Sequence, residues 1–259
     1  MSYPPIQITF LGTGTSSGVP MIACNCEVCL SQNPKDKRLR SSILVQSSTT
    51  NIVIDTGPDF RQQMLQANLN KLDAIVLTHA HKDHIAGLDD VRAFNFFQKK
   101  PMDVYASVET QNRLHNEFDY AFADSKYAGV PSINLHHIDE DIFTIGDIEI
   151  RPIKVWHMYM PVLGFRMGHF TYITDANRID EVSKNKIRGS KILAINALRR
   201  QKHVSHFTLD EAVALANELE IPEVYFIHVS HQMGLHDTVN CELPYNRNLA
   251  FDGMKLEIS

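Results

Sequence analysis

Hydrophobic and polar positions fall into two patterns along this chain. Short runs that are apolar at almost every position recur at 6–11, 74–77, 104–107, 191–195 and 224–227. They are too short for helices and read as strands covered on both faces. Positions 42–47 and 51–55 read as a hairpin joined by Ser48, Thr49 and Thr50. The stretch 148–156 alternates apolar and polar residues up to His157, and 164–167 with 170–174 read as a strand pair turning at Gly168 and His169. Four segments carry helical spacing: 59–68 with Pro58 in its first turn, 88–97, 108–118 with His115 facing outward, and the amphipathic 209–219. In 88–97 the spacing predicts core packing for Phe94, Phe96 and Phe97, with a pocket wall or a homodimer contact as the alternative. The aromatic stretch 119–130 reads as an irregular loop. Strands interleaved with helices point to an α/β layered chain.

Composition narrows this picture modestly. With 259 residues, 44% hydrophobic and 21% charged, the chain is an ordinary globular one, and the absence of a Pro/Gly/Ser linker favours one domain over 1–259. The N-terminal Met1-Ser2-Tyr3-Pro4-Pro5 lacks a basic segment followed by an apolar one, and no apolar run reaches membrane-spanning length, so a cytoplasmic protein with no membrane partner is expected. A net charge of -5 supplies no field for nucleic acid, whereas a small anionic substrate near bound cations is compatible with it. The basic stretch 31–40, with Lys35, Lys37, Arg38 and Arg40, reads as a solvated face, with a phosphate-steering patch as the alternative.

Candidate chemistry concentrates in two places. His79-Ala80-His81-Lys82-Asp83-His84 follows the buried run 74–77 and Thr78. On an extended chain residues two apart point the same way, so His79 and His81 can hold one ion while Asp83 and His84 turn toward a second. Mixed nitrogen and oxygen donors suit zinc, manganese or iron better than calcium or magnesium. Cys24-Asn25-Cys26-Glu27-Val28-Cys29 packs three soft ligands together, suiting a tetrahedral structural zinc completed from elsewhere in the chain. Cys241 reads as a buried or idle thiol. The loop 12–20, rich in glycine and hydroxyls, can approach an anion with its backbone or simply turn.

His-x-His-x-Asp-His at a strand end resembles the signature of the metallo-β-lactamase superfamily. Leu-Gly-Thr-Gly followed by Ser-Ser-Gly-Val-Pro and Cys-x-Cys-x-x-Cys is similar to the start of its PhnP-type cyclic phosphate phosphodiesterase branch, related to RNase Z. The resemblance implies an αββα sandwich, two mixed β-sheets with helices on both outer faces. It implies two divalent cations in the active site, one on His79, His81 and His157 and one on Asp83, His84 and His228, with Asp175 bridging. Asp55 would hydrogen-bond the metal loop without being a ligand, and His206, in His-x-Thr, would be the general acid, with His203 as the competing candidate. The fourth ligand of the cysteine site would be His231, with His236 or a redox cluster as alternatives. The implied activity is hydrolysis of a small, cyclic phosphodiester by a hydroxide shared between the cations. RNase Z-like RNA hydrolysis, glyoxalase II-like thioester hydrolysis and a non-catalytic zinc-binding protein are the competing functions.

Overall fold

The structure, a computed structural model, describes residues 3–123 and 129–259. Met1, Ser2 and positions 124–128 of the aromatic stretch lie outside the described residues. The strands are β1 (Ile6–Gly12), β2 (Ser42–Gln46), β3 (Asn51–Ile54), β4 (Ala74–Val76), β5 (Met102–Ala106), β6 (Ile133–His137), β7 (Phe143–Ile145), β8 (Ile148–His157), β9 (Met160–Met167), β10 (Phe170–Ile173), β11 (Ile192–Asn196), β12 (Glu223–Ile227), β13 (Arg247–Leu249) and β14 (Lys255–Ile258).

They form two seven-stranded sheets, ordered β14-β1-β2-β3-β4-β5-β6 and β13-β12-β11-β10-β9-β8-β7. Each sheet repeats one plan. Antiparallel strands β1, β2 and β3 give way to parallel β4, β5 and β6; antiparallel β8, β9 and β10 give way to parallel β11, β12 and β13. In each sheet the last antiparallel strand and the parallel ones run the same way, so their C-terminal ends collect on one edge, where α/β proteins build sites.

Side-chain alternation produces the layers. Ile43 and Val45, Ile52 and Ile54, Tyr172 and Tyr225 enter the core between the sheets. Their neighbours Leu44 and Val53 face outward onto Phe60, Met64 and Leu88. Ile173 and Phe226 likewise face Leu209, Ala212, Leu215 and Ala216 of the helix Leu209–Glu218. Both faces of each sheet are thus buried, which is why these strands read as continuous apolar runs. The expected αββα sandwich is the fold observed, and among the described residues no helix is long and apolar enough to cross a membrane.

Some expectations need correction. The stretch 88–97 splits into a 3-10 turn, Leu88–Val91, and a helix, Arg92–Gln98. Leu88, Val91 and Phe94 face the sheet, but Phe96 is 65% exposed and Phe97 78%. Each step of three along an α-helix rotates a side chain back by about 60°, so Phe97 has drifted about 120° from Val91 and leaves the core. Arg38 is no solvated residue: it is 5% exposed and donates to Thr13 Oγ1 at 2.7 Å and the Ala250 carbonyl at 2.5 Å. The edge strands β6, β7, β13 and β14 and the helices Glu181–Ile187 and His236–Glu242 have weaker patterns and were not anticipated.

Candidate metal centre

Most of the predicted active-site residues lie where a strand ends or just after it, whereas Asp83 and His84 lie in the short helix Lys82–Ile85 and His206 stands just ahead of the helix Leu209–Glu218. Asp55 follows β3, Thr78 and His79 lie just beyond β4, His157 is the last residue of β8, Asp175 lies just past β10, and His228 follows β12. Asp55, Asp175 and His228 all adopt left-handed backbone, with φ of 66°, 52° and 55°. That conformation costs an L-residue roughly 1–2 kcal/mol, so the turn of the chain at each strand end is held against local preference. Its effect is to swing the side chains of both sheets toward one another.

Asp175 is the meeting point. Its Oδ1 lies 3.1 Å from His228 Nε2 and 3.4 Å from His84 Nε2, and its Oδ2 lies 3.3 Å from His206 Nε2 and 3.8 Å from His79 Nε2. Asp83 Oδ2 stands 3.2 Å from His84 Nε2 and 3.6 Å from His228 Nε2. The ring of His81 lies 4.6 Å from that of His79 and 5.2 Å from that of His157. Two groupings result, Asp83, His84, Asp175 and His228 on one side and His79, His81 and Asp175 on the other, with His157 and His206 beside Asp175 as well. Among these, His81 alone is exposed.

The donors fit a cation. His79 Nε2, His84 Nε2 and His228 Nε2 are buried without a hydrogen-bond partner, although an orphaned buried polar atom costs about 1–3 kcal/mol. Two ligands each about 2.0–2.2 Å from a tetrahedral cation stand about 3.3–3.6 Å apart, which the separations around Asp175 and Asp83 bracket. The far nitrogens of three rings are already engaged: His84 Nδ1 donates to Asp55 Oδ2 at 2.7 Å, His157 Nδ1 to the Ser205 carbonyl at 2.8 Å, and His79 Nδ1 pairs with Thr78 Oγ1 at 2.9 Å, whereas His228 Nδ1 has no partner. Metal-binding imidazoles are oriented in this way. Burial pushes His79 well below the ordinary imidazole value and, together with His157, lowers His81, leaving neutral rings with free lone pairs. Burial opposes a charge on His84 too, yet Asp175, Asp55 and Asp83 hold its pKa well above the ordinary value. Burial likewise opposes ionisation of Asp83 and Asp175, but His84 next to the first, and His228 with His84 next to the second, hold both carboxyls below the usual range.

His206 sits against this centre from the other side of Asp175. Its Nδ1 lies 2.9 Å from Ser205 Oγ, which lies 3.1 Å from His203 Nδ1. Burial pushes the His206 imidazole down to about 4. His203 belongs to none of the ligand groupings.

A second cluster lies one turn beyond His228. Cys24, Cys26, Cys29 and His231 come together, with His231 Nδ1 at 3.3 Å from both Cys24 Sγ and Cys26 Sγ. The hydrogen bond to His231 lowers the Cys26 thiol to about 6, while burial pushes Cys29 up to about 11. His236 is elsewhere, buried with its Nδ1 3.0 Å from Arg38 Nη2. Cys241 is exposed, not buried, and stands apart from the other three.

Residues 50–229 match the family described as the Beta-lactamase superfamily domain. A crystal structure of a new diphosphatase from the PhnP family superposes with a TM-score of 0.92 at 39% identity, over 98% of this chain and 97% of that one. The chain belongs to the PhnP family of the β-lactamase superfamily. It is 36% identical over 253 residues to an octanoyltransferase from Porphyromonas gingivalis, covering 96% of this chain but 51% of that protein. It is 28% identical over 164 residues to ribonuclease Z from Thermococcus onnurineus, covering 62% of this chain and 46% of that protein. The chain thus spans about half the length of these curated relatives.

In this PhnP-family chain several supporting residues escape a motif search. Thr78 donates its backbone N–H to Asp55 Oδ1 at 2.9 Å and its hydroxyl to Asp55 Oδ2 at 2.8 Å. Asn196 clamps the backbone after Asp175 by accepting from Ala176 N at 2.8 Å and donating to Ala176 O at 2.9 Å. Gly57 lets the Asp83 carbonyl approach, since a Cβ there would lie 2.0 Å from that oxygen. The signal available for Asn196 was an amide at the end of the apolar run 191–195; nothing marked Ser205, which serves His157 through its backbone.

Proposed function

We propose that this chain is a metal-dependent hydrolase that cleaves a phosphodiester bond in a small phosphorylated substrate, a cyclic phosphodiester being the substrate class the family resemblance favours. The observation that supports it is the division of the Asp175 carboxylate, one oxygen toward His84 and His228 and the other toward His79 and His206. His79, His81, His157 and Asp175 would hold one cation and Asp83, His84, His228 and Asp175 the other, while Cys24, Cys26, Cys29 and His231 would hold a separate structural zinc. The donor set accepts zinc, manganese or iron in the paired site. Bound there, such cations lower the pKa of water to about 7 and neutralise charge on phosphoryl oxygens.

The protein's own groups supply the rest. Asp55 and the Ser205 carbonyl fix the rings of His84 and His157, so each presents its other nitrogen inward. Departure of an alkoxide needs a proton, and His206, buried beside Asp175 with its Nε2 facing the centre, is the group positioned to give it. A bound phosphoryl anion favours the imidazolium form of His206 by direct attraction. The diphosphatase of the PhnP family supports a phosphorus substrate.

Two measurements test this reading. Metal analysis of the purified protein should find two cations besides the cysteine-bound zinc, and a screen of cyclic and linear phosphodiesters should find turnover that a chelator abolishes. His206→Ala should slow esters with poor leaving groups far more than p-nitrophenyl esters; equal loss on both removes His206 from the acid role. The ribonuclease Z relative supports a second reading, RNA phosphodiester hydrolysis, which a gel assay on precursor tRNA distinguishes. The net charge of -5 counts against it.

A further inference from the structure

We infer that Arg38, Thr13 and Asp252 form a positioning set that aims His228 at the paired cation site, acting through the Gly-Thr-Gly loop after β1. The inference rests on the two-cation reading above and adds how one of its ligands is held.

His228 differs from the other buried ligand rings. Its Nδ1 has no hydrogen-bond partner, where His79, His84 and His157 have Thr78 Oγ1, Asp55 Oδ2 and the Ser205 carbonyl. Metal-binding imidazoles take their orientation from such a bond. The His228 ring lies nearly parallel to those of His84 and His206, at 7° and 15°, with centroids 6.0 Å and 4.8 Å away. Stacking sets the plane of the ring and leaves its aim to the backbone. That backbone is left-handed, with φ of 55°, a conformation imposed on an L-residue by its surroundings.

The Gly-Thr-Gly loop imposes it. Val229 N donates to the Thr13 carbonyl at 2.9 Å and Thr15 N to the Val229 carbonyl at 3.1 Å, so the residue after His228 is gripped at both its polar groups. On the loop's other edge Gly14 N donates to the Leu39 carbonyl at 2.8 Å and Ser41 N to the Gly14 carbonyl at 3.0 Å. Gly14 thus lies between Arg40 and Val229, joining the end of β1 in one sheet to the end of β12 in the other. A Cβ at Gly14 would stand 2.9 Å from Arg38 Cβ and 3.0 Å from the Leu39 carbonyl oxygen, so the close approach needs glycine. The N–H groups of Thr13, Gly14 and Thr15 are all spent on protein acceptors, which makes this part of the loop a clamp and not an anion cradle.

Three side chains lock the clamp. Asp252 accepts from Thr13 N at 2.9 Å, from Thr13 Oγ1 at 2.7 Å and from Leu39 N at 2.6 Å, binding both loop segments with one carboxylate. Arg38 donates to the same Thr13 hydroxyl and to the Ala250 carbonyl. Burial opposes the Arg38 charge, and the attraction of Asp252 and Asp36 sustains it. A charge taken out of water is costly; here it fixes the one hydroxyl that ties the loop to Asp252.

The test is a Co2+ titration of protein whose paired site has been emptied, with Thr13→Val, which keeps the shape and removes the hydroxyl. The uptake step that depends on His228, identified by its loss in His228→Ala, should weaken by roughly 10- to 100-fold. The step lost in His81→Ala should stay as in the wild type. Thr13→Ser should restore the weakened step, and Asp252→Asn, which keeps the packing and removes the charge, should reproduce the Thr13→Val pattern. Amide exchange at Val229 in the cobalt-free protein, followed by NMR, should speed up in Thr13→Val and return in Thr13→Ser. A merely structural role would lower Tm and weaken both steps alike; that result, or a His228 step left as in the wild type, overturns the inference. A wild-type protein with fewer than two uptake steps fails the two-cation reading instead, and the histidine ring signals of the metal-free protein then decide. His228 signals shifted in Thr13→Val, with those of His79 and His157 in place, support the clamp; His228 signals in place overturn it.

Discussion

Replacing Asp55 by asparagine removes one charge without changing shape, and the structure sets the size of the effect. The carboxylate is fully buried and accepts from His84 Nδ1 at 2.7 Å, from Thr78 N at 2.9 Å and from Thr78 Oγ1 at 2.8 Å. Hydrogen bonds to a charged acceptor contribute about 1.5–3 kcal/mol each. Asparagine keeps one acceptor oxygen and turns an NH2 group toward either the His84 or the Thr78 donor, so at least one bond becomes a buried donor facing a donor. Part of that loss is offset, because burial already disfavours the charge and raises the Asp55 pKa. The net expectation is destabilisation of about 2–4 kcal/mol, which lowers Tm by roughly 5–15 °C for a chain of this size. The larger consequence is functional. With no anion to hold its Nδ1 proton, the His84 ring loses its fixed orientation, and removal of such a partner typically lowers cation affinity or activity 10- to 100-fold. The assay is cation titration of the apo protein, followed by turnover and thermal melting of the reloaded variant. A folded Asp55→Asn protein with wild-type cation affinity and turnover would falsify the orienting role of Asp55 and the assignment of His84 as a ligand.

Other perturbations test the remaining joints. Asn196→Ala removes both bonds to Ala176 and orphans its buried N–H, which should destabilise by about 2–4 kcal/mol in denaturant melts and impair turnover through the displaced Asp175. Gly57→Ala drives a methyl group into the Asp83 carbonyl and should lower activity roughly 100-fold while the cysteine-bound zinc is retained, as metal analysis would show. Cys24→Ser should release one equivalent of zinc and leave the paired site's residues in place. The zinc-free cluster should itself be sensitive to pH: the hydrogen bond to His231 holds the Cys26 thiol at about 6, below its ordinary 9.0. Its contribution to the stability of the zinc-free protein is therefore full above about pH 9 and is lost as pH falls through about 6, which thermal melts of the zinc-free protein across that range should show.

Much of the fold was legible because strands buried on both faces and amphipathic helices leave strong periodicities. Edge strands such as β6 and β13 were not, since their pattern is diluted by solvent on one side. Phe97 misled because spacing by three imitates a helical face for only two steps before the rotation carries it away. The histidine loop was visible because its ligands are close in sequence. His157, Asp175 and His228 each stand alone at a strand end and His206 alone ahead of a helix, and only the order of motifs in a related family pointed to them.

From its sequence alone this chain has a definite stock of chemistry, imidazoles, carboxylates and three close thiols, together with the strand and helix pattern that carries them. Which of those groups face each other was decided by tertiary structure. Two sheets bring the ends of β3, β4, β8, β10 and β12 to one edge, and left-handed turns at Asp55, Asp175 and His228 then aim the side chains inward. Backbone conformations of that kind go against the local preference of the residues that adopt them, so local sequence cannot announce them; they persist because the packed sheets on either side hold them.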